Sequence, residues 1–142
     1  MDEDVKKQIL RQKIQYLDVG KKIRLATHGN KEVRSLLITD TNKEVVKAVI
    51  SSPKISEIEV EQFAKMTNVS EEVLRYIGGR RNWCARYSIA FALINNLRTP
   101  INISLPLLKK LGKRQLDLLS KNRNIQEVVR REAQYLANKK KE

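Results

Sequence analysis

A short segment near the middle of the chain alternates guanidinium groups with aromatic rings. Arg80 and Arg81 come first, Trp83 and Tyr87 follow four residues apart, and Arg86 directly precedes the second ring. Guanidinium groups pair with phosphate oxygens, and aromatic rings stack on bases, so this composition suits contact with a nucleic acid.

The competing interpretation is that the two rings are core residues. Trp83 and Tyr87 lie on an apolar stripe at helical spacing that continues to Ile94 within one predicted helix. A helix that is apolar nearly all round is usually buried, so we predict that Trp83 belongs to the core. Arg80 and Arg81 precede the stripe, and we expect them to stay solvated at the helix start, where they can contact an anion.

Two further basic groups follow, one around a predicted helix break at Gly112 and one at the start of the last predicted helix. In that helix a buried stripe beginning at Ile125 and Val129 turns the neighbouring arginines toward solvent. One run of charges usually forms only a solvated face, but three groups together favour a functional patch. The predicted phosphate-binding residues are Arg80, Arg81, Lys109, Lys110, Lys113, Arg114, Arg123, Arg130 and Arg131.

The charge of the chain is concentrated in its second half. Residues 1–74 hold 13 Lys and Arg against 12 Asp and Glu, whereas residues 75–142 hold 16 against 4. A polycation attracts phosphate backbones, anionic lipids or acidic protein surfaces by counterion release and steering. We therefore expect an acidic partner.

Length and composition limit the possible classes of protein. The chain has 142 residues, and its 41% hydrophobic content predicts one domain over residues 1–142 that folds alone. A single cysteine, Cys84, and a single histidine, His28, exclude a disulfide framework and metal sites built from several Cys or His residues. We expect no cofactor, and a cytoplasmic location because the sequence shows neither a signal peptide nor a spanning run.

Apolar residues recur at spacings of three and four, which predicts an all-α fold. An amphipathic helix from Asp4 to Leu17 is expected to bury Val5, Ile9 and Ile14 as a lid. The other predicted helices span residues 20–27, 31–39, 43–51, 57–65, 71–77, 82–94, 100–111, 114–120 and 125–138. Helices this short are marginal alone, so they must be stabilised by stacking.

Several local signals mark predicted helix boundaries. Three pairs have capping-box spacing: Ser56 with Glu59, Thr41 with Glu44, and Asn124 with Glu127. Four glycines are expected to end helices in the left-handed conformation: Gly29, Gly78, Gly79 and Gly112. Pro106 lies inside the segment after Pro100, which predicts a helix start near Ser104 or a kink.

A short sequence motif recurs at the starts of these helices. An asparagine, a few polar residues and a valine that opens an apolar stripe occur four times, ending at Val33, Val45, Val73 and Val129. Asn42, Asn82 and Asn124 are separated by 40 and 42 residues. A unit of about 40 residues is typical of HEAT and armadillo repeats. We predict a small right-handed α-solenoid with a capping helix over 1–18, stacked helices over 19–138 and a basic frayed tail over 139–142.

The segments SSPKISEIEVEQFAKMTNVSEEVLRYIGGRRNW, ALINNLRTP and LLSKNRNIQEVVRREAQ resemble a family of bacterial helical-repeat proteins allied to HEAT and leucine-rich-repeat-variant proteins. The resemblance covers about residues 20–137. It implies a curved helical stack used for binding, with no catalytic residues to carry over. Some leucine-rich-repeat-variant proteins hold a cysteine-bound iron–sulfur cluster, and with Cys84 alone this chain departs from that pattern.

Residues that suggest catalysis have simpler explanations. His28 stands at a helix end, Cys84 lies in the most apolar helix as a small hydrophobe, and Glu57, Glu59 and Glu61 favour a helix N-terminus. The sequence contains neither a phosphate-binding loop nor a dinucleotide fingerprint. The sequence thus favours binding over catalysis.

We predict a non-enzymatic, monomeric helical-repeat module that binds nucleic acid backbone, DNA or RNA, through its basic half. The first alternative is an adaptor that docks an acidic protein. A remote alternative is a HEAT-like DNA glycosylase, for which Asp117 would be the first carboxylate to test. A membrane-surface role ranks last, because no segment has the large apolar face that insertion needs.

Overall fold

The structure, a computed structural model, describes residues 2–140, which contain eleven helices and no strand. The all-α prediction is confirmed. The helices are α1 (Glu3–Gln15), α2 (Val19–His28), α3 (Lys31–Leu37), α4 (Lys43–Ile50), α5 (Glu57–Lys65), α6 (Glu71–Gly78), α7 (Arg81–Cys84), α8 (Tyr87–Asn95), α9 (Ile101–Leu108), α10 (Lys113–Ser120) and α11 (Glu127–Lys139). No helix in this described range is long and apolar enough to cross a bilayer.

The chain divides into two compact units, with the boundary between Glu59 and Val60 inside α5. We call them unit 1, up to Glu59, and unit 2, from Val60. In unit 1, α2 packs against α3 and α4. In unit 2, α8 packs against α9, and α11 packs against both α9 and α10. The four valines of the recurring motif are all buried, as predicted: Val33, Val45, Val73 and Val129.

Side-chain caps start the helices of unit 1. The Asn30 and Asn42 side chains accept hydrogen bonds from backbone amides in the first turns of α3 and α4. Ser56 and Glu59 form the predicted capping box at α5, with Ser56 Oγ accepting from the Glu59 amide. The Thr41 capping box is wrong, because Asn42, one residue later, takes the capping position.

The core of unit 1 contains an ion pair that the sequence analysis did not anticipate. Arg34 Nε lies 2.7 Å from Glu59 Oε1, and both side chains are buried. Arg34 also donates to the carbonyl oxygen of Gly29, at 2.5 Å. Burial alone would raise the pKa of Glu59, but hydrogen bonds from Arg34 and Ser56 outweigh it and lower that pKa. Glu59 therefore does more than favour the start of its helix.

The helix predicted over 82–94 is two helices, α7 and α8. Arg86 has an extended ψ of 123° between them. The carbonyl oxygen of Cys84, which a continuous helix would pair with the amide four residues later, instead accepts from Lys110 Nζ at 3.4 Å. The break also overturns the predicted single stripe: Trp83 is buried, whereas Tyr87 is 48% exposed.

Long-range hydrogen bonds hold the loops of unit 2. Asn96 Nδ2 donates to the carbonyl oxygens of Ala64 and Met66, both at 2.8 Å. Gln126 Nε2 donates to the carbonyl oxygens of Leu97 and Thr99 at 2.9 and 2.8 Å. The loops that follow α5, α8 and α10 are therefore linked in series along one end of unit 2.

Other boundary predictions for this half are wrong. Asn124 does not cap α11; Gln126 takes that position, and its side chain bonds to another loop. Helix α9 begins at Ile101 and contains Pro106, so the start near Ser104 is wrong. None of the chain's glycines has a positive φ, which overturns the left-handed stops. Gly78 instead allows close packing, since a Cβ there would lie 2.5 Å from Cγ2 of Ile103.

The ends of the chain also differ from expectation. On α1, Ile14 is buried but Val5 and Ile9 are exposed, so the predicted lid does not bury them. Helix α11 extends to Lys139, and Lys140 Nζ donates to the carbonyl oxygen of Leu111 at 2.6 Å. The frayed tail over 139–142 stays a prediction, and residues 141–142 lie outside the described part.

Candidate nucleic-acid interface

Two hydrogen bonds bring separated basic segments to one end of unit 2. The turn between α9 and α10 reaches α7 through Lys110, which donates to the Cys84 carbonyl oxygen. The end of α11 reaches the same turn through Lys140, which donates to the Leu111 carbonyl oxygen. We call the cations assembled here the basic cluster: Arg80, Arg81, Lys109, Lys110, Lys113, Arg114 and Lys140.

The other three predicted residues lie at the opposite end of α10. Arg123 follows the last turn of this helix, and its eight residues span about 12 Å. Arg130 and Arg131 stand in the first turns of α11, where both lie within ion-pair distance of Glu127. The structure therefore divides the nine predicted residues into six in the basic cluster and three outside it.

Carboxylates are scarce around the basic cluster. The sequence has no acid between Glu72 and Asp117, and Asp117 lies 3.4 Å from Lys113 Nζ. Arg81, Lys109 and Arg114 are exposed, and among residues 2–140 no carboxylate lies within ion-pair distance of them. These charges face solvent without local compensation. Asp117, the residue named for a glycosylase, is a half-buried ion-pair partner of Lys113.

Arg80 is positioned by aromatic rings. Its guanidinium carbon lies 5.6 Å from the ring centroid of Tyr76 and 5.1 Å from that of Trp83. Trp83 is only 6% exposed, which confirms its prediction as a core residue. Arg80 is exposed but not simply solvated, because cation–π contacts with both rings orient its donors. The sequence spacing alone did not reveal these contacts.

Cys84 is buried beneath the cluster as an uncharged thiol. Its Sγ lies 3.3 Å from the Ile77 carbonyl oxygen, in position to donate to it. Burial raises the pKa of the thiol, although the nearby Lys110 opposes this shift. The prediction that Cys84 is a small buried hydrophobe is confirmed.

A groove of about 440 Å³ lies beside the cluster, between the C-terminal part of α5 and helix α8. The rings of Tyr87 and Phe91 stack along it, with centroids 5.5 Å apart and an interplanar angle of 20°. The groove is lined by Glu61, Lys65, Tyr87, Ser88, Phe91, Ala92, Asn95 and Asn96. Sequence analysis missed it because the uninterrupted apolar pattern over 82–94 concealed the break that exposes Tyr87.

The polar groups of this groove are ordered by their own contacts. Lys65 Nζ lies 2.9 Å from Glu61 Oε2. Hydrogen bonds from Lys65 and Ser88 lower the pKa of Glu61, so this carboxylate is ionised at neutral pH. The groove therefore presents a carboxylate acceptor beside an exposed aromatic ring. Within residues 2–140, no group of three His, Cys, Asp or Glu side chains is arranged to hold a metal ion.

Comparison with known proteins identified no relative of this chain. No family model matches the chain. No curated protein and no solved structure is significantly similar to it. The basic cluster and the groove of unit 2 are therefore the features from which a function can be inferred.

Proposed function

We propose that this chain is a non-enzymatic module that binds the sugar-phosphate backbone of a nucleic acid at the basic cluster. The observation that carries the proposal is the convergence of Arg80 and Arg81, the turn around Lys110, and Lys140. These segments are up to about 60 residues apart in sequence and are joined by two hydrogen bonds. A run of charges on one helix would need no such convergence.

The chemistry of the cluster suits phosphate. Arginine offers a planar fork of donors that matches two phosphate oxygens, while lysine contributes a compact charge. Arg81, Lys109 and Arg114 are solvated and lack carboxylate partners among residues 2–140, so contact with phosphate breaks no ion pair in that part. Release of counterions from the nucleic acid then drives association.

We further propose that unit 2 is a short right-handed solenoid of helix pairs, acting as a monomer in the cytoplasm. The linked loops after α5, α8 and α10 support this arrangement, because each loop bonds to the preceding one. In a solenoid, connections between helices lie along the edges of the stack, so residues from successive units can form one extended surface. The basic cluster would lie on the edge opposite these linked loops.

A salt series tests the proposal. Fluorescence anisotropy of a labelled single-stranded oligonucleotide is measured against the nuclease-treated protein between low and physiological salt. If all seven cations of the cluster contact phosphate, log K falls against log[salt] with a slope of about −5. An affinity that does not change with salt, or no binding at low salt, would contradict the proposal. The remaining hypothesis would then be that the cluster docks an acidic protein.

A further inference from the structure

We propose that the groove between α5 and α8 takes an unpaired nucleobase, so that the ligand of this chain is single-stranded. This inference rests on the proposed function, because the phosphates on either side of that base would be held by the basic cluster. It adds a contact that distinguishes single strands from duplexes.

The aromatic pair in the groove provides the stacking surface. Tyr87 is 48% exposed, and its ring is stacked on Phe91, which is partly buried. A large exposed ring that is supported from below keeps its orientation when a base stacks on it. Stacking on aromatic side chains is a general means of holding single strands, and it tolerates every base.

The groove suits a base better than a phosphate. The ionised Glu61 is paired with Lys65, the cation that lines the groove, so the pair carries no net charge to attract a phosphate. A neutral base needs no such attraction, and its amino groups can donate to the remaining acceptor positions of the carboxylate. Asn95 lines the same groove; its Nδ2 donates to the Phe91 carbonyl oxygen and its Oδ1 accepts from Asn122, which leaves one N–H and one lone pair of the amide for a ligand. The groove volume is at the lower end of the range that small-molecule sites span.

The groove and the basic cluster are close enough to serve one strand. Tyr87 is three residues after Cys84, whose carbonyl oxygen accepts from Lys110. Three peptide units span at most about 11 Å. A strand whose phosphates contact the cluster can therefore place a neighbouring base over Tyr87. In a duplex the bases are paired and stacked inside, so the ring has no free base face to contact.

Paired binding measurements test this inference. Anisotropy is recorded for a labelled single-stranded oligonucleotide and for the duplex of the same sequence, with the wild-type protein and with Tyr87→Ala, Tyr87→Leu and Tyr87→Phe. We expect Tyr87→Ala and Tyr87→Leu to weaken single-strand binding by about 5- to 150-fold and to leave duplex binding unchanged. Tyr87→Phe keeps the ring and should bind like the wild type.

The matched control is Tyr135→Ala on α11, which removes another half-exposed tyrosine and should leave both affinities unchanged. Equal losses on single strand and duplex, or no loss with Tyr87→Ala and Tyr87→Leu, would overturn the groove proposal while leaving backbone binding in place. Failure of the wild-type protein to bind either oligonucleotide would overturn the proposed function itself.

Discussion

Each of the helices α1–α5 begins with a side chain that accepts a hydrogen bond from an amide of its first turn, whereas none of α6–α11 does. The starts in unit 1 are therefore specified by neighbouring residues. Unit 2 instead uses side chains such as Asn96 and Gln126, which reach loops about 30 residues away. Its boundaries depend on tertiary contacts.

The two units also use their cations differently. In unit 1, Lys22 pairs with Asp40 at 2.8 Å, and Arg34 pairs with Glu59; all four side chains are largely buried. In unit 2, the cations of the basic cluster are mostly exposed and have few carboxylates nearby. Buried ion pairs use the cations Lys22 and Arg34 in the first unit, whereas most cations of the basic cluster are presented to solvent, which is why we assign binding to the second unit.

The largest effect is expected from the buried ion pair of unit 1. Replacing Arg34 by Met leaves the Glu59 carboxylate buried without its partner, which should lower the free energy of unfolding by about 3–5 kcal/mol. Denaturant unfolding followed by circular dichroism measures this loss. The double variant Arg34→Met/Glu59→Leu removes both charges and should recover much of it. A single variant as stable as the wild type would show that the pair does not support unit 1.

A direct comparison of a long-range loop contact with a local helix cap should show a smaller difference in stability. Asn96→Ala leaves two backbone carbonyls without their donor and should cost about 2 kcal/mol. Asn42→Ala removes a local cap and should cost about 1 kcal/mol. Asn124→Ala is the control, since Asn124 caps no helix, and should be near neutral. If the cap variant cost more than the loop variant, the contrast between the units would not hold.

The Arg34–Glu59 ion pair should also make the stability of the protein depend on pH in the acidic range. The folded-state pKa of Glu59 is lowered, so its contribution to stability is present above the unfolded-state pKa and is lost as pH falls through the folded-state pKa. We expect the unfolding free energy of the wild type to fall more steeply below about pH 4.3 than that of Arg34→Met/Glu59→Leu. Parallel pH profiles would contradict this assignment.

The smallest expected effect is a gain in stability in unit 2. The hydroxyl oxygens of Thr99 and Ser104 are buried, and among the described residues neither has a hydrogen-bond partner. Thr99→Val keeps the shape of the side chain and removes the unpaired group, so it should raise the free energy of unfolding by about 1 kcal/mol. A loss of stability in thermal unfolding would indicate that the hydroxyl has a partner after all.

The sequence predicted what neighbouring residues specify. The all-α fold, the Ser56 cap and the buried valines depend on local spacing, and each is confirmed. The break between α7 and α8 escaped prediction because Lys110, 26 residues from Cys84, takes the carbonyl that a continuous helix would use. The Arg34–Glu59 pair spans 25 residues and left no local pattern.

The candidate site was predictable in composition but not in arrangement. The counts of basic residues indicated an anionic partner, and Arg80 and Arg81 were singled out correctly as exposed cations. Their grouping with Lys140, and their separation from Arg123, Arg130 and Arg131, depend on how α10 and α11 place their ends. Single-domain organisation, the solenoid and its handedness stay predictions.

The central claim is that the arrangement of cations, and not net charge alone, binds the ligand. It is tested by two charge-matched triple variants in the salt series: Arg81→Gln/Lys109→Gln/Arg114→Gln in the basic cluster, and Lys121→Gln/Arg123→Gln/Arg131→Gln outside it. We expect the first to weaken binding and to reduce the magnitude of the salt slope by about 2, and the second to leave both nearly unchanged. Equal losses from the two variants would contradict the claim.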